Sequence, residues 1–246
     1  SDSLSQVDIR DLEYPVVEEI PLQKKQAITQ IRQGEIYFHD ASLCYQNWQS
    51  CTSCHPGNGR SDALNWDLLN DGLGNPKNTK SLLVSHFTPP AMSMGVRSTA
   101  EIAVRAGIQH IQFAQRPEKD AKAIDAFLKS IQAVPSPFLK KGKLSQAAIR
   151  GKAVYDKAKC NACHSGEYYT DLKMYDVGTG LDNSPEQTFD TPTLVEAWRT
   201  APYLHDGRAA TLEEVFTKYN PEDKHGVTSN LTMQEMDDLI EYISSL

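Results

Sequence analysis

Two short segments, Cys51-Thr-Ser-Cys54-His55 and Cys160-Asn-Ala-Cys163-His164, hold four of the five cysteines and put a histidine directly after each pair. Cysteines three residues apart share one face of a helical turn, so both thiols reach a flat group lying beside it. With an imidazole next in the chain, the group that fits is a haem, whose two vinyl substituents take the sulfurs while the histidine binds iron. Zinc needs four ligands in a closed tetrahedron, and each motif offers at most three. A thiol–disulfide redox pair needs a preceding strand and has no use for the histidine. The expectation is therefore two covalently bound haem c groups, attached through Cys51, Cys54, Cys160 and Cys163, with His55 and His164 as proximal iron ligands. Only Cys44 is left over, so no disulfide framework is implied, and its role stays open.

The elements that must carry these motifs repeat. "QAITQIRQGEIYF" leads into the first motif and "QAAIRGKAVYD" into the second, and Thr79 to Glu101 aligns without a gap on Thr191 to Glu213. The period is far longer than that of solenoid repeats. Apolar residues in "EKDAKAIDAFLKSIQ" and "MDDLIEYISSL" follow the 3.6-residue period, so each half closes with an amphipathic helix. Capping boxes are expected at Ser98 with Glu101, Thr211 with Glu214 and Thr232 with Glu235. The prolines of "AVPSPFLKKGKL" interrupt any helix there and mark a boundary. The fold expected is mainly α: two tandem cytochrome c-like domains related by an internal repeat, with long loops around the haems. Their bounds are 1–19 for an N-terminal linker or extension, 20–134 for the first domain, 135–143 for the linker and 144–246 for the second domain.

The 246 residues carry a formal net charge of -7, which argues against nucleic acid or anionic lipid as partners. No apolar run approaches the roughly 20 residues needed to cross a bilayer. The N-terminal "SDSLSQVDIRDLEYPVVEEI" is acidic and lacks the apolar core of a signal peptide. Haem attachment of this kind nonetheless implies a periplasmic, extracellular or cell-surface location.

With both motifs on the page, "TPTLVEAWRTAPYLHDGRAATLEEV" (191–215) makes the chain resemble the bacterial di-haem cytochrome c peroxidases and MauG-like proteins. The resemblance runs from about Leu22 onward. It extends to the di-haem modules found after β-propellers in some surface proteins. The resemblance implies a calcium ion between the domains, held by oxygen atoms of Asn78, Thr200 and Pro202, hard donors that suit this ion. It also implies an aromatic bridge, a glutamine and a glutamate near the first haem. Here the bridging Trp-Asp-Gly reads Ser93-Met94-Gly95, and the other two positions fall near Ala103 and near Gln112 or Phe113. The family's displaceable histidine is absent from "DGLGNPKN", so peroxide cleavage loses its usual residues.

The sixth iron positions are read by position. In the second half His225 is the first candidate and Tyr219 the alternative, because neutral imidazole binds ferric and ferrous iron alike whereas phenol must first lose its proton. In the first half His110 is the candidate, with Met94 and Met92 behind it. Met92 and Met94 match Leu204 and Asp206 in the repeat, which puts their turn between the haems. These readings describe a di-haem cytochrome carrying electrons between redox partner proteins outside the cytoplasm, its oligomeric state open. The alternatives are a peroxidase that reduces hydrogen peroxide or a MauG-like oxidase with an open first haem, and, more weakly, a haem-bearing module of a surface assembly.

Overall fold

The computed structural model describes residues 3–10, 13, 15–22, 27–67, 77–180 and 187–246. Residues 1, 2, 11, 12 and 14 of the N-terminal extension lie outside that set. What remains of the extension is a strand pair, β1 (Ser3–Asp8) against β2 (Val16–Pro21), with Leu4 opposite Ile20 and Val7 opposite Val17. The described part of the extension is thus a two-stranded ladder. The pattern was hard to see because the apolar residues of "VVEEIP" do not alternate.

The rest is built from helices in two equivalent sets. In the first half α1 (Gln30–His39) crosses α5 (Glu118–Ser130); in the second, α6 (Gln146–Lys157) crosses α8 (Met233–Ser244). Both crossings are made possible by a glycine. A Cβ on Gly34 would lie 1.8 Å from the carbonyl oxygen of Ala123, and one on Gly151 equally 1.8 Å from that of Asp238, so the helix backbones touch where no side chain can intervene. Each crossing seals an apolar core. Phe38, Ile108, Ile124, Phe127 and Leu128 form the first; Tyr155, Val215, Leu239, Tyr242 and Ile243 form the second. Complete burial of a side chain such as Phe38 or Leu239 stabilises by about 2 kcal/mol.

Between the crossing helices lie α2 (Cys51–Cys54), the short α3 (Pro56–Gly59), α4 (Ala100–His110) and α7 (Leu212–Thr217). Four two-residue strands complete two further ladders: β3 (Asn65–Trp66) with β4 (Lys77–Asn78), and β5 (Met174–Tyr175) with β6 (Phe189–Asp190). The helix starts are capped as their sequences dictate, with one displacement. Thr232 and Glu235 form the full box on α8, and Thr211 accepts the amide of Glu214 on α7. On α4 the cap is Thr99, not Ser98, and Thr99 is the repeat equivalent of Thr211. The segment 135–143 is pinned rather than loose, for Ser136 donates its hydroxyl to the Ser244 carbonyl at 2.5 Å.

The halves meet through reciprocal contacts. The Asn78 amide donates to the His205 carbonyl at 2.8 Å, and the Asp190 amide donates to the Ser93 carbonyl at 2.8 Å. Asn78 and Asp190 are equivalent in the repeat, as are Ser93 and His205. The two docking turns share their backbone shape: Ala91 bridges Arg97 as Tyr203 bridges Ala209, and Met92 and Leu204 have φ of 73° and 71°. A buried ion pair adds a second tie. Arg60 donates to both carboxylate oxygens of Glu196 at 2.9 and 2.7 Å, and the Val134 amide donates to the same carboxylate at 2.6 Å.

Candidate haem sites

In the second half Cys160 follows α6 directly, through a tight turn whose residue Lys159 takes a left-handed φ of 62°. Burial pushes the Cys160 thiol up to about 11 and the Cys51 thiol up to about 12. Redox-active CxxC pairs work through a lowered thiol pKa. Burial here raises the thiols instead, which argues against a thiol–disulfide redox pair.

His164 is held for metal binding. Its Nδ1 lies 3.1 Å from the Tyr169 carbonyl, and donation to that oxygen leaves Nε2 as the nitrogen with a free lone pair. Tyr155 in turn donates its hydroxyl to the His164 carbonyl, fixing the backbone of the motif. Across from His164 stands His225. The ring centroids are 6.2 Å apart, with 42° between the planes. An iron bonded to one nitrogen of each ring at about 2 Å separates the ring centres by roughly 6 Å. No direct contact between the imidazoles explains that spacing. Burial, and then the proximity of His164, lower the His225 pKa to about 4, and burial lowers that of His164. Both rings are neutral at neutral pH, as ligation requires.

The loop behind His225 is built around one residue. Asn220, buried, accepts from the His225 amide at 2.8 Å and donates to the carbonyl of Gly226 at 2.9 Å and the hydroxyl of Thr228 at 2.9 Å. The Val227 amide then donates to the Ala158 carbonyl at 2.9 Å, which brings the loop against the turn carrying Cys160. The His225 Nδ1 is buried and has no hydrogen-bond partner, so hydrogen bonding to the ring does not account for its position. Asn220 escaped the reading of the sequence, although Asn-Pro is a turn signal that could have flagged it. Tyr219 is occupied elsewhere. Its hydroxyl donates to the Arg208 carbonyl at 3.0 Å, and its ring packs on the core.

The first half is not a copy in this respect. His55 lies in the turn after α2, its pKa lowered by burial and its Nδ1 without a hydrogen-bond partner. Among the described residues no second histidine ring faces it. His110 ends α4 and is exposed, because Ile108 takes the buried face and two residues along a 3.6-residue turn rotate the next side chain to the opposite side. The residue of that region that reaches the motif is Gln112, buried, with Nε2 3.4 Å from Cys51 Sγ. Met92 and Met94 are half-buried in the turn whose Ser93 carbonyl docks on Asp190. His86, which aligns with Trp198 in the repeat, has its side chain buried against Asp125 with Nε2 3.1 Å from the carboxylate, and Arg105 holds the other oxygen at 2.6 Å.

Two of the three residues named for calcium, Asn78 and Pro202, meet at Gly207. A Cβ there would lie 2.9 Å from Asn78 Nδ2, 3.0 Å from Asn65 Oδ1 and 3.1 Å from Pro202 Cγ, so Asn78 of the first half and Pro202 of the second are neighbours. Asn78 donates to Asn65 Oδ1 at 3.1 Å, and Thr200 turns its hydroxyl to the Ala197 carbonyl at 3.2 Å. Asn65 is an oxygen-bearing neighbour that the sequence did not disclose. Among the described residues no group of three or more His, Cys, Asp or Glu could hold a metal.

Comparison with known proteins agrees with this architecture. Residues 148–246 match the cytochrome c family model, so the second half is a c-type cytochrome domain. The hydrazine synthase subunit gamma of Kuenenia stuttgartiensis is 28% identical over 88% of this chain and 77% of its own length. A chain of the hydrazine synthase structure from that organism superposes with a TM-score of 0.82 at 27% identity, covering 91% of this chain and 90% of that one. The methylamine utilization protein MauG of Methylophilus methylotrophus is 25% identical over 92% of this chain and 84% of its own length. Cytochrome-c peroxidase IdrP1 of Pseudomonas sp. (strain SCT) is 24% identical over 92% and 83%. Over most of its length the chain is thus similar to MauG proteins and cytochrome-c peroxidases, the group that its sequence motifs resemble.

Proposed function

We propose that this chain passes electrons through two haem c groups, the second of them saturated by His164 and His225. The observation that carries the reading is the 6.2 Å separation of those two rings. Haem c, once attached, supplies a one-electron iron couple whose potential depends on its axial ligands and their hydrogen bonds. The chain's part is to hold His164 in one tautomer through Tyr169 and to hold His225 opposite it through Asn220. Two fixed imidazoles leave no place for a substrate at that iron, so transfer there is limited by distance and potential. Calcium at Asn78, Thr200 and Pro202 is part of the proposal, supported by the approach of Asn78 and Pro202 to each other at Gly207. So is a location outside the cytoplasm, with a redox protein as partner. Among the described residues no helix is long and apolar enough to cross a membrane.

A second reading applies at the first haem. The outward turn of His110 favours an iron with an open sixth position, where a peroxide or another small substrate would meet it as in a peroxidase or MauG-like oxidase. Cyanide titration of the oxidised protein separates the two. Rapid conversion of one haem per chain supports the enzymatic reading with the second haem as relay; no conversion supports a pure electron carrier. A place within a larger assembly is the weakest reading, supported by the relative that is a subunit.

A further inference from the structure

We propose that the surface beside the first haem motif, built from Tyr45, Trp48 and Phe113, is where a redox partner protein docks through an uncharged, apolar face. The inference rests on the electron-carrier reading above. The three rings are 55%, 59% and 60% exposed, yet they pack on one another, with centroids 6.0 Å apart for Tyr45 and Trp48 and 6.1 Å for Trp48 and Phe113. The histidines of the haem sites, His55, His164 and His225, are half-buried, so exposure to this degree is not that of a ring lining a haem pocket. Folding also inverts the usual order here: polar Gln112 is 5% exposed while its neighbour Phe113 turns outward. Phe113 does so with a left-handed φ of 49°, and Gln46 and Asn47, between Tyr45 and Trp48, take 53° and 58°. Left-handed backbone at non-glycine residues is strained, and such strain collects at sites that bind.

The patch is joined to the motif. The Tyr45 amide donates to the Gln112 carbonyl at 2.9 Å, and Gln112 Nε2 lies 3.4 Å from Cys51 Sγ. Gln49 donates its side-chain amide to the Ile111 carbonyl at 2.6 Å and closes the two segments on each other. Seventeen positions separate Gly34 from Cys51 but nine separate Gly151 from Cys160, so Tyr45 and Trp48 lie in the longer connection of the first half. Charge and size then identify the occupant. Residues 41–59 and 106–115 contain no Asp, Glu, Lys or Arg, in a chain that is 23% charged, so the matching face is uncharged as well. Taking about 200 Å² for a whole aromatic side chain, the three rings expose roughly 350 Å². Doubled for the partner, that area falls short of the roughly 1,200 Å² at which stable complexes begin and inside the range of brief redox encounters. A second copy of this chain is disfavoured twice, by the small area and by the net charge of -7 on each molecule.

Stopped-flow reduction of the haem-loaded chain by a reduced blue-copper protein with an apolar, uncharged copper edge tests this. The rate constant is expected to change little between low and high salt, and to fall about tenfold or more in Trp48→Ser/Phe113→Ser, as for the loss of a binding hot spot. Calorimetric binding of the copper-free donor is expected to weaken by the same factor, while reduction by dithionite and both haem spectra stay as in wild type. An unchanged rate or affinity in the double variant overturns the proposal, as does a wild-type rate that drops with salt, which assigns docking to charged residues. So does an altered haem spectrum, which places the rings in the first haem pocket, or a wild-type dimer that the variant dissolves, which makes a second copy the occupant. Should the donor leave wild type oxidised while dithionite reduces it, the electron-carrier reading fails and this proposal with it. If the double variant loses a haem, Trp48→Lys alone decides: it is expected to slow the copper donor but not dithionite, and an unchanged rate overturns the proposal.

Discussion

His225 faces His164 across 6.2 Å although the two are 61 positions apart in the chain, and nothing between their rings holds them at that distance. The positions are set from behind, His164 by Tyr169 and His225 by Asn220. A site held this way should be sensitive to the holder as well as to the ligand. Asn220→Ala removes the acceptor of the His225 amide and the donor to Gly226 and Thr228. It is expected to weaken haem ligation at the second iron and to raise the fraction of high-spin haem on warming, followed by absorbance. Asn220→Asp, which keeps the acceptor, should retain more of the low-spin signal.

The pair Arg60–Glu196 gives a second expectation. Glu196 is fully buried, and burial alone would raise its pKa, but the Arg60 guanidinium and the Val134 amide hold it below the ordinary value. Glu196→Ala leaves a guanidinium in the interior with its main partner gone, which costs about 3–5 kcal/mol. Chemical denaturation should show that loss.

The glycine at the helix crossing predicts a localised failure. Gly151→Ala would drive a methyl into the Asp238 carbonyl, a contact between backbones that no rotamer change relieves. Overpacking of this kind costs about 3 kcal/mol. Limited proteolysis should then cut the second half, from α6 onward, before the first. Gly107→Ala, with open space at its Cβ position, is the control and should be neutral or slightly stabilising.

A pH dependence follows from Glu101, whose hydrogen bond to Lys129 lowers its pKa from 4.5 to about 2. A carboxylate with a depressed folded pKa contributes stability that is complete above 4.5 and is lost as pH falls through about 2. Both side chains are more than a third exposed, so solvent screening keeps the contribution below about 1 kcal/mol. Lys129→Ala should therefore melt slightly below wild type at neutral pH, and the two curves should converge by about pH 2. A difference that persists there would contradict the assignment.

Much of this was legible in the chain because covalent haem attachment leaves an explicit signature. Two cysteines and a histidine at fixed spacing need no tertiary context to be read, and the ungapped match of Thr79 to Glu101 on Thr191 to Glu213 carries the two docking turns with it. Counting along the resembling family's motif reaches Tyr219, and His225, six residues later on the same loop, is preferred only because neutral imidazole suits both iron states. The first half resisted the same reasoning, because the orientation of His110 depends on where α4 ends and which of its faces Ile108 occupies. A shift of two residues reverses a helix face, and periodicity in a short segment does not fix that. Asn220 and Asn65 were missed since each acts through backbone contacts made by folding, and the sequence displays only a turn and a strand end.

The central claim, a second iron bound by His164 and His225, is tested most directly by low-temperature electron paramagnetic resonance of the oxidised protein, wild type beside His225→Ala. The account predicts a low-spin signal of bis-histidine type from one haem in wild type, its conversion to high spin in His225→Ala, and no change in the signal of the other haem or in Tyr219→Phe. A wild-type low-spin signal that survives the loss of His225, or that disappears in Tyr219→Phe, would contradict it.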